Sequence, residues 1–134
     1  MVNEAVLKIE THIPINFTCS TTVTIEKGAI VKMTDPMTAV LSDGENDIVA
    51  GIVQSEKLAA DTTQNSVAIF KGGYFRVTCS GSGSAGEAVV THGNANVVVL
   101  ATTGQENILG IMQESWTEGQ TKIMWLHPTR MELS

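Results

Sequence analysis

Val49-Ala50-Gly51-Ile52-Val53-Gln54 and Ile108-Leu109-Gly110-Ile111-Met112-Gln113 are one pattern written twice, an apolar run broken by a glycine and closed by a glutamine. Reading outward, Gly28-Ala29-Ile30-Val31 and Val40-Leu41 precede the first copy. Gly86-Glu87-Ala88-Val89 and Val99-Leu100 precede the second. The offset is 58 residues at Gly28/Gly86 and 59 at Gly51/Gly110. After each Gly-Ile-x-Gln comes a polar stretch and another β run, Val67–Phe70 or Lys122–Trp125. Short Val- and Ile-rich runs between Gly, Asn and Asp clusters read as strands. Two copies are too few for a solenoid. The expected fold is therefore all-β, a small pseudo-symmetric β-barrel or sandwich built from two partly repeated halves. The repeats span about 25–75 and 84–127, within a single barrel domain over residues 16–134.

Eleven strands are expected: Glu4–Glu10, Asn16–Ile25, Ala29–Met33, Thr38–Leu41, Ile48–Gln54, Ser66–Phe70, Tyr74–Cys79, Glu87–Thr91, Asn96–Ala101, Ile108–Gln113 and Thr121–Leu126. His92-Gly93-Asn94-Ala95 and Lys71-Gly72-Gly73 read as hairpin turns, where Gly and Asn supply positive φ cheaply. Only Ser55–Asp61 has helix-forming composition, and it is barely two turns long.

The whole chain has 134 residues, 43% hydrophobic and 16% charged, with mean hydropathy +0.11. That is too apolar for disorder, and no apolar run approaches the roughly 20 residues of a spanning helix. The first residues carry an acid and no apolar stretch, so a secretory signal is not expected. A net charge of −6 and a pI near 4.9, with the eight Lys and Arg scattered, argue against a nucleic-acid surface. Cys19 and Cys79 have neither CxxC spacing nor a neighbouring His, and read as buried reduced thiols.

Nothing in the motifs reads as catalytic. Gly81-Ser82-Gly83-Ser84-Ala85-Gly86 is a literal GxGxxG, but β-branched residues follow it where a dinucleotide fold needs a helix. Asp43-Gly44-Glu45-Asn46-Asp47 places its glycine second, not sixth as a calcium loop requires. His12, His92 and His127 share no ligand spacing. No metal, cofactor or enzymatic activity is expected.

Two features point to a partner. Residues 1–15 precede the first repeat, have no counterpart before the second, and alternate apolar and polar through Val6–Glu10. This N-terminal extended arm, with Val2, Asn3, Glu4, Ala5, Val6 and Leu7 as its contact residues, suits strand addition to another chain's sheet edge. It equally suits an edge strand of the chain's own sheet. Trp116 lies in the polar turn Glu114–Gly119, and either folds back onto the barrel or anchors a partner.

The chain resembles the capsid cement, or head decoration, proteins of tailed bacteriophages. The resemblance rests on Asn3–Lys8, Ile25-Glu26-Lys27-Gly28, Thr34-Asp35-Pro36, Ala50-Gly51-Ile52, Glu56-Lys57, Val67–Gly73, Gly81 and Ala85–Val89. It covers nearly the whole chain, apart from the tail after His127. The resemblance implies a structural protein on the outer surface of an icosahedral head, made in the host cytoplasm. Its implied partner is the major capsid protein, neighbouring subunits of which it clamps, as a homotrimer on the lattice. The rival reading is a small-ligand or carbohydrate-binding β-barrel module. A carbohydrate module wants several exposed aromatics, and a biotinyl-type carrier wants an exposed lysine with neighbours that Lys71 lacks.

Overall fold

A computed structural model describes residues 3–11 and 13–130. Its strands are β1 (Val6–Ile9), β2 (Ile15–Thr18), β3 (Ile30–Asp35), β4 (Thr38–Leu41), β5 (Val49–Val53), β6 (Ser66–Phe70), β7 (Gly73–Cys79), β8 (Ala88–Thr91), β9 (Val97–Leu100), β10 (Asn107–Met112) and β11 (Thr121–Arg130). The all-β, two-half expectation holds. The structure changes how the halves close. Where one barrel was expected over 16–134, β2-β4-β3-β5-β6 form a closed N-barrel. β7-β11-β10-β8-β9 close separately into a C-barrel through the additional β7–β9 pairing.

The two barrels have the same topology. Each is sealed by one parallel strand pairing, through Thr18↔Thr38 in the first and through Thr78↔Val97 and Cys79↔Val98 in the second. Five twisted strands are enough to wrap a small core, so each repeat satisfies its own strand edges. Two local corrections follow. Lys71-Gly72-Gly73 is not a hairpin turn, because β6 and β7 share no ladder; it carries the chain from one barrel into the other. Ser55–Asp61 is not helical; Lys57 there bridges Ile25.

The repeated glycine has a packing cause. A Cβ on Gly51 would lie 2.1 Å from the Phe70 carbonyl oxygen, and one on Gly110 would lie 2.4 Å from that of Trp125. Both glycines let the last strand of their barrel cross closely over β5 or β10. Phe17, Val31, Ala39, Ala50, Val53, Val67 and Ile69 fill the N-barrel. Phe75, Val77, Val89, Val98, Leu109, Met112 and Met124 fill the C-barrel, and this cluster also takes in Ile30, Val49, Ile52 and Phe70 from the first. All of β5 is buried because its two faces serve different barrels.

Polar contacts lock the same junction. Asn46 accepts from Asn107 N–H at 3.0 Å, Thr91 Oγ1 donates to the Gly44 carbonyl at 2.8 Å, and Ile30 N–H donates to Asn96 Oδ1 at 2.9 Å.

Candidate interaction surface

Of the two roles open to the arm, the structure takes the edge strand of the chain's own sheet. β1 runs antiparallel along β7, pairing Val6↔Arg76, Leu7↔Phe75 and Ile9↔Tyr74. Just before it, Ala5 N–H donates to the Gly28 carbonyl at 2.8 Å, which anchors the arm to the N-barrel. Gly28, at φ +84°, is needed there, because a Cβ would meet the Ala5 oxygen at 2.4 Å. Ala5 is therefore buried and Leu7 packs against the core, while Val6 is 52% exposed. Asn3 is exposed and Glu4 half-buried; Val2 lies outside the described residues. The other edge of β1 has no strand partner among the described residues.

Between β1 and the N-barrel runs a groove of about 710 Å³. Its lining includes Phe70 and Phe75, which meet edge-to-face at 5.6 Å, together with Val53, Lys27 and Gln54. Beside it the Glu4 carboxyl hydrogen-bonds Glu26, which holds Glu4 above its ordinary range and Glu26 below. Lys71, whose Nζ donates to the Ala50 carbonyl at 2.8 Å, is pushed down by burial.

Trp116 folds back onto its barrel. It is 2% exposed, its Nε1–H donates to the Ser80 carbonyl at 3.1 Å, and it offers no side-chain surface in this conformation. A register relation explains why a tryptophan fits inside a polar turn. The isolated bridges Ile25↔Lys57 and Gly83↔Trp116 occupy matching places in the two barrels. In the N-barrel a bulky Ile25 accompanies a slender Lys57; in the C-barrel Gly83 leaves room for an indole. Lys57 is fully buried, and its ammonium donates to the carbonyls of Thr21 (2.7 Å), Leu58 (2.9 Å) and Asp61 (3.2 Å). Sequence reading missed this lysine, because an isolated Lys in a polar stretch has no local sign of burial.

The remaining motifs have structural roles. Gly81–Gly86 is a loop whose Gly83 lies under Trp116. Asp47 Oδ2 accepts from Ser42 Oγ and from the backbone N–H groups of Asp43 and Gly44, at 2.9, 3.1 and 2.9 Å, so it organises its own turn. Lys32 pairs with Asp43 at 2.6 Å, which lowers the Asp43 carboxyl. His92 Nδ1 accepts from Asn94 N–H at 3.0 Å within the β8–β9 turn. His12 lies outside the described residues, and no three His, Cys, Asp or Glu converge as metal ligands among those described.

No protein-family model matches the sequence, and no curated protein does. Among solved structures, the chain is similar to the N base of the head fiber gp8.5 of bacteriophage phi29. The identity is 12% and the TM-score 0.55, with 90% of this chain and 98% of that chain covered. At that identity the likeness shows the fold alone.

Proposed function

We propose that this chain is a structural protein of a tailed-phage virion, seated on the outer surface of an icosahedral head and clamping neighbouring major capsid subunits of the expanded shell. The observation that carries the reading is the fold likeness. It spans nearly the whole of a piece named for a phage head fiber, and so supports the coarser part of the reading, a structural protein of a phage virion. The molecule's physics supports the role. Two barrels joined through a shared core and by hydrogen bonds across their junction suit a rigid clamp. The chain's acidity disfavours adhesion to packaged DNA.

Stabilisation by such a protein is linkage. A ligand that binds only the assembled shell adds RT ln(1 + [L]/Kd), about 2.7 kcal/mol per site at a hundredfold excess over Kd. Homotrimers on the lattice would multiply the contacts that each unit makes.

Co-sedimentation of the purified protein with expanded heads lacking it, followed by thermal challenge of the heads, tests the proposal. Saturable binding that raises the rupture temperature is expected. Protein that stays in the supernatant at all concentrations rejects it. The competing small-ligand reading is favoured by one observation, the groove of about 710 Å³ between β1 and the N-barrel, whose size falls in the range of ligand sites.

A further inference from the structure

Four of the chain's six aromatic residues, Phe17, Phe70, Phe75 and Trp116, are buried in the two cores. The two that are not, Tyr74 and Trp125, are cross-strand partners on the outside of the C-barrel. They belong to one row that crosses five strands in register. Ile9 of β1 faces Tyr74 of β7, Tyr74 faces Trp125 of β11, Trp125 faces Ile111 of β10, and Ile111 faces Ala88 of β8. A second row, Val6↔Arg76↔Ile123, lies beside it. His127 stacks on Trp125 at 4.6 Å between ring centroids. Residues in register lie on the same side of a sheet, and the neighbouring pair Phe75↔Met124 points into the core, so these rows lie outside. Because the barrel is closed, the long row curves round it, and the part that looks out together is Ile9, Tyr74 and Trp125 with Val6, Arg76 and Ile123. Ile9 is 57% exposed, while Tyr74, Trp125, Ile111 and Ile123 are half-buried.

Two properties decide what such a face can hold. The first is charge. None of these positions carries an acid in a chain with fourteen, although the Glu114 carboxylate accepts from Ile123 N–H at 2.8 Å beside the second row. The rows' own cation is Arg76, which is exposed and also donates to the Thr121 carbonyl at 3.3 Å. Tyr, Trp and Arg surrounded by aliphatics is the composition of protein-binding hot spots. The second is size. The part of the two rows that faces one way covers three strands, β1, β7 and β11; at about 4.8 Å between strands and about 7 Å between rows it covers about 130 Å². A standard complex free in solution needs about 800 Å² per partner. The face is too small to hold a soluble pair together. It suits a contact repeated many times over a lattice, where multivalency supplies what each site lacks.

We infer that this outer face of the C-barrel is the surface that meets the shell, its occupant an apolar patch bearing acidic side chains on the major capsid subunit. The inference rests on the virion reading and gives it a surface. It extends the contact expected of Val6 from the arm to residues of β7 and β11.

The test is co-sedimentation with expanded heads lacking the protein, comparing wild type with Ile9→Glu, Arg76→Glu and Val40→Glu. All three positions are exposed, and Val40 (41% exposed) lies on the N-barrel as the control. Circular dichroism melts establish that each variant is folded. Ile9→Glu and Arg76→Glu should each weaken binding at least tenfold, additional salt should weaken the wild type, and Val40→Glu should bind like wild type. Wild-type affinity in both face variants overturns the inference while leaving the virion reading intact. Heads that fail to bind wild type reject both. A change in solution mass with Ile9→Glu, read by light scattering without heads, overturns it in favour of a second copy as occupant.

Discussion

Gly83→Ala should be among the most destabilising single-methyl additions in this chain, although the position lies in a polar loop. A Cβ at Gly83 would sit 2.1, 2.4 and 2.7 Å from Cη2, Cζ2 and Cζ3 of Trp116, far inside contact distance. The indole cannot swing aside freely. It is 2% exposed, its N–H is held by the Ser80 carbonyl, and its backbone is tied to Gly83 by bonds of 3.0 and 3.1 Å. Overpacking of this kind costs about 1–3 kcal/mol. Full expulsion of the ring would approach the about 3–5 kcal/mol of a Trp→Ala core change. The expected loss is about 3 kcal/mol, near 10 °C in Tm for a chain of this length. Thermal and urea unfolding of Gly83→Ala, Trp116→Leu and the double variant would measure it, with Trp116 emission followed in a Trp125→Phe background. Because the two residues compete for one space, the double variant should be at least 1 kcal/mol more stable than the sum of the singles predicts. Additive losses, or a Gly83→Ala loss below about 0.5 kcal/mol, would refute the idea that this glycine exists to seat the indole.

Three further outcomes are expected. Lys57→Met should cost about 1–3 kcal/mol in urea titrations despite matching the lysine's shape, because three part-buried carbonyls lose their donor. Asn96→Ala should cost about 2 kcal/mol by the same assay. It removes the acceptor for Ile30 N–H and places a Cβ-bearing residue without the asparagine's tolerance at φ +62°. Burial raises the Cys79 thiol from its ordinary 9.0 to about 11. Its folded pKa therefore lies above the unfolded one. Its contribution is complete below about pH 9 and is lost between 9 and 11, to the extent of about 2–3 kcal/mol. Cys79→Ala should flatten that alkaline loss in pH-dependent melts. An unchanged slope would mean that the thiol ionises equally in both states.

Much of the fold was legible before any coordinates. Alternation and turn residues marked the strands because β-structure imposes a period of two on whatever it half-buries. The matching Gly51 and Gly110 announced the repeat, and both proved to be close-approach sites against equivalent carbonyls. Lys71-Gly72-Gly73 misled because a glycine turn looks the same whether its flanking strands pair or part. Trp116 was legible as an anomaly only. Its resolution depended on Gly83, 33 residues earlier, being empty.

The sequence by itself determined that this is an all-β chain in two related halves with a strand in front of the first. Those properties are local, carried by composition, periodicity and repetition. The tertiary structure alone decided that each half closes on itself, that the leading strand joins β7, and that Lys57 goes inside. It also decided that Ile9, Tyr74, Trp125, Ile111 and Ala88 line up across five strands. The physical reason is that alternation tells which side chains of a strand share a face, but is silent on which strand lies beside it. Neighbours and register come from non-local pairing, won by the arrangement that buries the most apolar surface while satisfying every backbone group.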